Sequence, residues 1–191
     1  MKIYITRHGE TLGNVNRIHE GGERPGELSD LGKKQIKKLA LRLKNEKFDC
    51  IYSSNLKRAK DTANAIAKYH PKIPVIFIED LRERDLGDFT GKHYDSVDWN
   101  NSPKNLETDE QVNKRCLKFI SKIYHLHKDK TILIVAHGFF NKYFISSLLD
   151  GQVSPSIISQ KNTCVNILEI NEDKKHVVHL LNCTKHLENT K

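Results

Sequence analysis

Two histidines in this chain occur in the same setting: "IYITRHG" and "TILIVAHG" are each an apolar run that ends in histidine followed by glycine, giving His8–Gly9 and His137–Gly138. Arg7 directly precedes the first of them. A strand can end on any turn former, and adjacent cations at a buried sheet edge repel, so the Arg7–His8 pair calls for a reason outside the fold. Arg58, in "YSSNLKRAKDTA", follows another strand-like run, and Glu83, in "LRERDLGDFTG", follows a further one. Two arginines hold a phosphate by bidentate hydrogen bonds and neutralise its charge. A neutral imidazole offers one lone pair for in-line attack while its other nitrogen is fixed by a hydrogen bond. A carboxylic acid protonates the leaving alkoxide. Together these residue types would supply what phosphoryl transfer requires. Singly, Arg58 and Glu83 read as ordinary surface charges, and the histidines other than His8 and His137 read as satisfied loop residues.

The elements that must position these groups follow from periodicity. Residues 2–6 read as a strand, followed by the polar loop "RIHEGGERPGE". "LSDLGKKQIKKLALRLKNEK" spaces its apolar residues along one helical face, with Ser29 or Asp30 as the cap. "DCIYSS" is a strand, "LKRAKDTANAIAKYH" a helix ended by Pro71, and "VIFIED" a third strand. Residues 81–106 form a long polar, irregular stretch, and a loop of that length in a compact domain usually covers a site. The helix "DEQVNKRCLKFISKIYHLH", a strand buried on both faces at "TILIVAHG", and a helix from about Phe139 come next. "TCVNILEI" and "HVVHLLN" read as a hairpin turning near "NEDKK". Strands separated by helices predict an α/β fold, a three-layer α/β/α sandwich with a mainly parallel sheet. Ligands bind outside the carboxyl ends of such strands, where His8 and His137 converge if their strands are neighbours.

A chain of 191 residues is expected to form one domain over residues 1–191. The absence of any long apolar stretch or cleavage site argues against a membrane span and points to the cytoplasm. Cys50, Cys116, Cys164 and Cys183 are widely spaced and sit mostly in apolar patterns, which predicts reduced, structural thiols. The net charge of +8 suits an anionic partner. Its lysines are dispersed without aromatic interleaving, however, so a nucleic-acid surface is not expected.

"TRHGET" with Asn14 beyond it, "YSSNLKRAKDTA", "LRERDLGDFTG" and "VAHG" resemble, in order, the four signature blocks of the histidine phosphatase superfamily, the phosphoglycerate-mutase-like family. The terminal "LLNCTKHL" resembles its last strand. The resemblance implies that His8 is the nucleophile that becomes phosphohistidine, that Arg7 and Arg58 hold the phosphate, that a protonatable His137 stabilises the transferring group, and that Glu83 donates the proton. Asp85 and Asp88 are the fallback donors. Thr11 and Asn14 match positions lining the phosphate pocket, and Gly138, like Gly9, lets backbone approach closely. No cofactor and no metal are implied. The family's glycine-glutamate-serine is missing from "LETDEQVNKR", although Glu107 and Arg115 fall near its register, and Phe139 and Phe140 stand where many relatives have small residues.

The expected function is therefore a metal-independent phosphomonoesterase acting on a small phosphorylated metabolite, as a monomer or homodimer. A cofactor-dependent phosphoglycerate mutase is the alternative, and a non-catalytic phosphate- or nucleic-acid-binding protein a further one. Mutases of this family carry an extended, largely helical basic insertion between the glutamate and second-histidine blocks, whereas this chain has only a short segment there. That favours the phosphatase branch.

Overall fold

The computed structural model describes residues 1–172 and 176–188. In chain order its elements are β1 (Lys2–Arg7), the single turn α1 (Leu12–Val15), α2 (Asp30–Leu43), β2 (Cys50–Ser54), α3 (Lys57–Ala67), β3 (Val75–Ile78), α4 (Asp109–His127), β4 (Thr131–Ala136), α5 (Gly138–Leu148), β5 (Val165–Glu169) and β6 (Val177–Cys183).

Alternation along the strands decides the layers, because successive strand residues point to opposite faces. Ile3 and Ile5 of β1, Cys50 and Tyr52 of β2, and Ile132 and Ile134 of β4 enter one core. It is closed by Val112, Cys116, Phe119 and Ile123 of α4 and by Phe140, Phe144 and Leu148 of α5. Tyr4, Ile51, Leu133 and Val135 enter the other, against Leu39, Ala40 and Leu43 of α2 and Ala59, Ala63 and Ile66 of α3. The predicted three layers are present. Burying β4 on both faces explains its nearly unbroken apolar sequence.

Among the described residues the strands form one sheet in the order β3-β2-β4-β1-β5-β6. The first four run parallel, while β5 and β6 are added antiparallel at one edge. The expected final hairpin is thus present as a strand pair, and residues 173–175 of its turn lie outside the described residues. The "VIFIED" strand stops at Ile78 and continues as a short 3-10 turn, Glu79–Leu81. Helix α3 ends at Ala67, three residues before the position expected, and turns within 66–70 prepare the approach to Pro71. Ser29 is the cap of α2, accepting from the Gly32 amide. A Cβ on Gly32 would stand 2.0 Å from the Glu10 carbonyl, so only glycine lets α2 start this close to the loop leaving β1.

The cysteines are all unpaired thiols, with Cys50, Cys116 and Cys164 buried. No helix among the described residues is long and apolar enough to cross a membrane. The 81–106 stretch is irregular as expected, built from short 3-10 turns. It is sewn to the loop after α1 by bonds from Tyr94 N to Arg17 O, His19 N to Lys92 O and Gly91 N to His19 O.

Candidate active site

Strands β1 and β4 are adjacent and parallel, with Arg7 in register with Ala136. The next residue on each is histidine, so the rings of His8 and His137 lie 5.1 Å apart, centre to centre. The condition set by the sequence, neighbouring strands, is met.

The hydrogen bonds fix the tautomers of both rings. His8 Nδ1 is 2.7 Å from the carbonyl of Gly9, an oxygen that only accepts, so Nδ1 carries the proton and Nε2 the lone pair. Arg58 Nε donates to His137 Nδ1 at 3.2 Å, which places the proton of neutral His137 on Nε2. That buried Nε2–H has no partner among the described residues. Burial, then Arg58 and Arg7, pushes His8 well below the ordinary histidine value. Burial, then Arg58, His8 and Arg7, does the same to His137. His137 is thus a neutral donor. Where the sequence suggested a protonatable ring, burial and the neighbouring guanidinium groups favour its neutral form.

Arg58 begins α3 and is 1% exposed. Three of its five N–H groups are engaged: Nε with His137, and one each on Nη1 and Nη2, which donate to Arg24 O at 2.6 Å and Gly21 O at 2.8 Å. These carbonyls belong to the polar loop after α1. Arg7 Nη1 donates to Gln160 O at 2.8 Å, while its buried Nε is left without a partner. Gly138 packs against this side chain, where an added Cβ would come within 3.3 Å of Arg7 Cζ.

Glu83 meets the start of α5 from outside. Its Oε2 accepts from Phe139 N at 3.0 Å and its Oε1 from Phe140 N at 2.9 Å and Arg84 N at 3.1 Å. A carboxylate thus caps a helix whose N-cap residue, His137, supplies no side-chain bond. The Glu107–Arg115 pair braces this loop: Arg115 Nε and Nη2 contact the two Glu107 oxygens at 2.7 and 2.9 Å, and Arg115 Nη1 also donates to the Asp80 and Arg82 carbonyls.

Arg7, His8, Asn14, Arg58 and Glu83 all line one cavity of about 390 Å³. His137 lies beside His8, fully buried and not among the residues lining that cavity. Thr11 is also buried away from the cavity: its hydroxyl accepts from Asn14 N as the cap of α1 and donates to Glu20. The Asn14 Oδ1 is held by Thr11 N and Asn162 Nδ2, which leaves its Nδ2 as the end available to an anion.

Residues 3–183 match the histidine phosphatase superfamily (branch 1). The chain belongs to that superfamily. Phosphoglycerate mutase-like protein 4 of Arabidopsis thaliana is 33% identical over 208 residues, covering 99% of this chain and 88% of that protein. The uncharacterized phosphatase PhoE of Bacillus subtilis is 30% identical over 179 residues, covering 90% of each. Among solved structures, Bacillus stearothermophilus YhfR superposes with a TM-score of 0.87 at 28% identity, covering 97% of this chain and 98% of that one.

Within this histidine phosphatase site, sequence reasoning missed three groups. Glu20 is a second cavity carboxylate, receiving the Thr11 hydroxyl at 2.8 Å, whereas Asp85 and Asp88 do not line the cavity. The segment 160–164 clasps the carboxyl end of β1: Thr163 N donates to Arg7 O, Asn162 Nδ2 to His8 O, and Gln160 O receives Arg7. The outer wall brings in Ile18, His19, Arg84, Leu86, Tyr94, Trp99 and Phe139. Glu20 sits in a glycine-rich loop and the outer wall largely in irregular chain, so no periodicity pointed to them.

Proposed function

We propose that the protein is a metal-independent phosphomonoesterase that acts on a small phosphorylated metabolite through a phosphohistidine at His8. The observation that carries this reading is a pair of orphaned donors. Arg7 Nε and His137 Nε2 are buried without partners beside a histidine whose lone pair is on Nε2. Each buried unsatisfied donor costs about 1–3 kcal/mol, so the site is built for an acceptor that the protein does not supply. The oxygens of a phosphoryl group are such acceptors.

In the first step His8 Nε2 forms the N–P bond as the ester P–O bond breaks, and the leaving oxygen takes a proton from Glu83. In the second, water attacks phosphorus, gives its proton to Glu83 and displaces His8, releasing inorganic phosphate. Arg7 and Arg58 carry the positive charge that compensates the phosphoryl oxygens, which is why no metal enters the reading. A neutral His137 adds a directed hydrogen bond.

The cover over the site supports hydrolysis over phosphoryl return. Between Glu83 and His137, α4 and β4 take a large share of the chain, and the rest is the loop with its 3-10 turns. The mutase alternative draws on the relative named phosphoglycerate mutase-like. Phosphate release and 3-phosphoglycerate to 2-phosphoglycerate conversion are to be measured in parallel, with bisphosphoglycerate primer, with chelator, and with vanadate. Phosphate release that survives chelation and is inhibited by vanadate is expected. Efficient isomerisation with little release would establish the alternative, and activity restored only by a divalent ion would sink the mechanism.

A further inference from the structure

The cavity has two unlike ends. Its floor is charged, with Arg7, His8, Arg58 and Glu83, while its mouth carries the flat or apolar side chains of Ile18, His19, Leu86, Tyr94, Trp99 and Phe139. Trp99, the sole tryptophan of the chain, is 48% exposed there. A single exposed aromatic on a surface needs no explanation, but one grouped with others over a reactive pocket does.

These rings are held in place. The His19 ring lies 4.5 Å from Tyr94 and meets Trp99 edge-on at 5.6 Å, and Trp99 also meets Phe89 edge-on at 5.2 Å. The turn carrying Trp99 is fixed by Asp98, which accepts from Asn100 N and Asn101 Nδ2. At the start of α5, Phe139 is held by the Arg84 guanidinium, 4.8 Å from its ring centre, and by the stacked ring of Tyr143.

Two charged groups near the mouth are engaged within the protein. Arg84 donates to the Glu107 carbonyl and pairs with Asp109, and Glu20 receives Thr11. Burial, then His93, pushes His19 below the ordinary histidine value, so it contributes a neutral ring.

We propose that this mouth is the leaving-group subsite, and that it selects phosphomonoesters whose alcohol carries a flat aromatic or heteroaromatic group. The inference rests on the phosphatase reading above and deepens it. Ring stacking against Trp99 and Tyr94 orients such a group while its phosphate reaches the charged floor.

The test uses esters of similar leaving-group acidity: benzyl phosphate, cyclohexylmethyl phosphate and glycerol 3-phosphate, with phosphoserine as the zwitterion. Benzyl phosphate is expected to exceed glycerol 3-phosphate and phosphoserine by about tenfold in kcat/KM, mainly through KM, and to exceed the cyclohexyl ester as well. Trp99→Ala and Tyr94→Ala should each draw the benzyl-to-glycerol ratio toward one. A cyclohexyl ester cleaved as well as benzyl would make the mouth merely apolar and overturn the inference. So would a benzyl preference that survives both substitutions. Hydrolysis of every ester without preference removes this inference and leaves the phosphatase reading standing, whereas hydrolysis of none removes both.

Discussion

Arg58 Nε stands 3.2 Å from His137 Nδ1, and the proton between them belongs to the guanidinium. One hydrogen bond thereby settles what His137 offers a ligand: its lone pair is consumed, and its free edge is an N–H. The same arginine spends its other two nitrogens on Arg24 O and Gly21 O, so its position is fixed by three acceptors from two parts of the chain. Arg58→Lys keeps the charge and loses this planar arrangement. The expected result is a fall of about 10²-fold or more in kcat/KM, with kcat reduced as well as KM raised. Steady-state kinetics separates the two; a change confined to KM would show that Arg58 binds the ester without stabilising the transferring group.

His8 should take up phosphate covalently. Brief mixing with labelled substrate and an acid-free quench is expected to leave a label that survives alkali and is lost in acid. His8→Ala should abolish the label and lower turnover by about 10⁴–10⁶-fold. Normal turnover in that variant would move the nucleophile elsewhere.

Glu83 and Glu20 are the two cavity carboxylates between which proton donation must be decided. Glu83→Gln is expected to cost about 10²–10⁴-fold for esters with poor leaving groups and far less for an activated aryl phosphate. Glu20→Gln should cost both substrates alike. The reverse pattern would transfer the acid role to Glu20.

Buried neutral histidines make stability depend on pH. The folded-state values of His8 and His137 lie well below the ordinary 6.5, so the unfolded chain binds more protons as pH falls. Their contribution is fully present above pH 6.5 and is lost progressively as the pH drops from there toward the folded values. Urea midpoints should decline over that acid range. His8→Gln and His137→Gln should each flatten the decline relative to the parent; an unchanged slope would mean these rings do not stay neutral.

The sequence exposed the part of the site that is local. His8 and His137 could be paired on paper because each ends an apolar strand, and strand ends in a parallel sheet share one edge. The helix faces were legible for the same reason: Leu39 and Leu43, or Val112, Cys116, Phe119 and Ile123, recur with helical spacing and fill the two cores. Irregular chain carries no period. Gln160 reaches Arg7 across 153 positions and Asn162 reaches His8 across 154, and no local pattern marks either. Trp99 and Tyr94 were hidden likewise, inside a loop recognisable only by its length. His137 was ambiguous by chemistry: its type allowed a cation, whereas its burial and then Arg58, neither visible in the local sequence, favour the neutral ring.

β1 lies between β4 and β5 in the sheet, although both follow it by more than 120 residues in the chain. A ribosome therefore releases Arg7 and His8 long before the residues that hold them in place. Contacts of such sequence separation form late and together. The nascent chain carries a histidine with no clamp around it, so its reactivity toward cellular phosphoesters is that of an ordinary imidazole. The contacts of residues 160–164 with Arg7 and His8 can form only after those residues have been made. If the proposed activity depends on them, its recovery during refolding is expected to follow completion of the sheet.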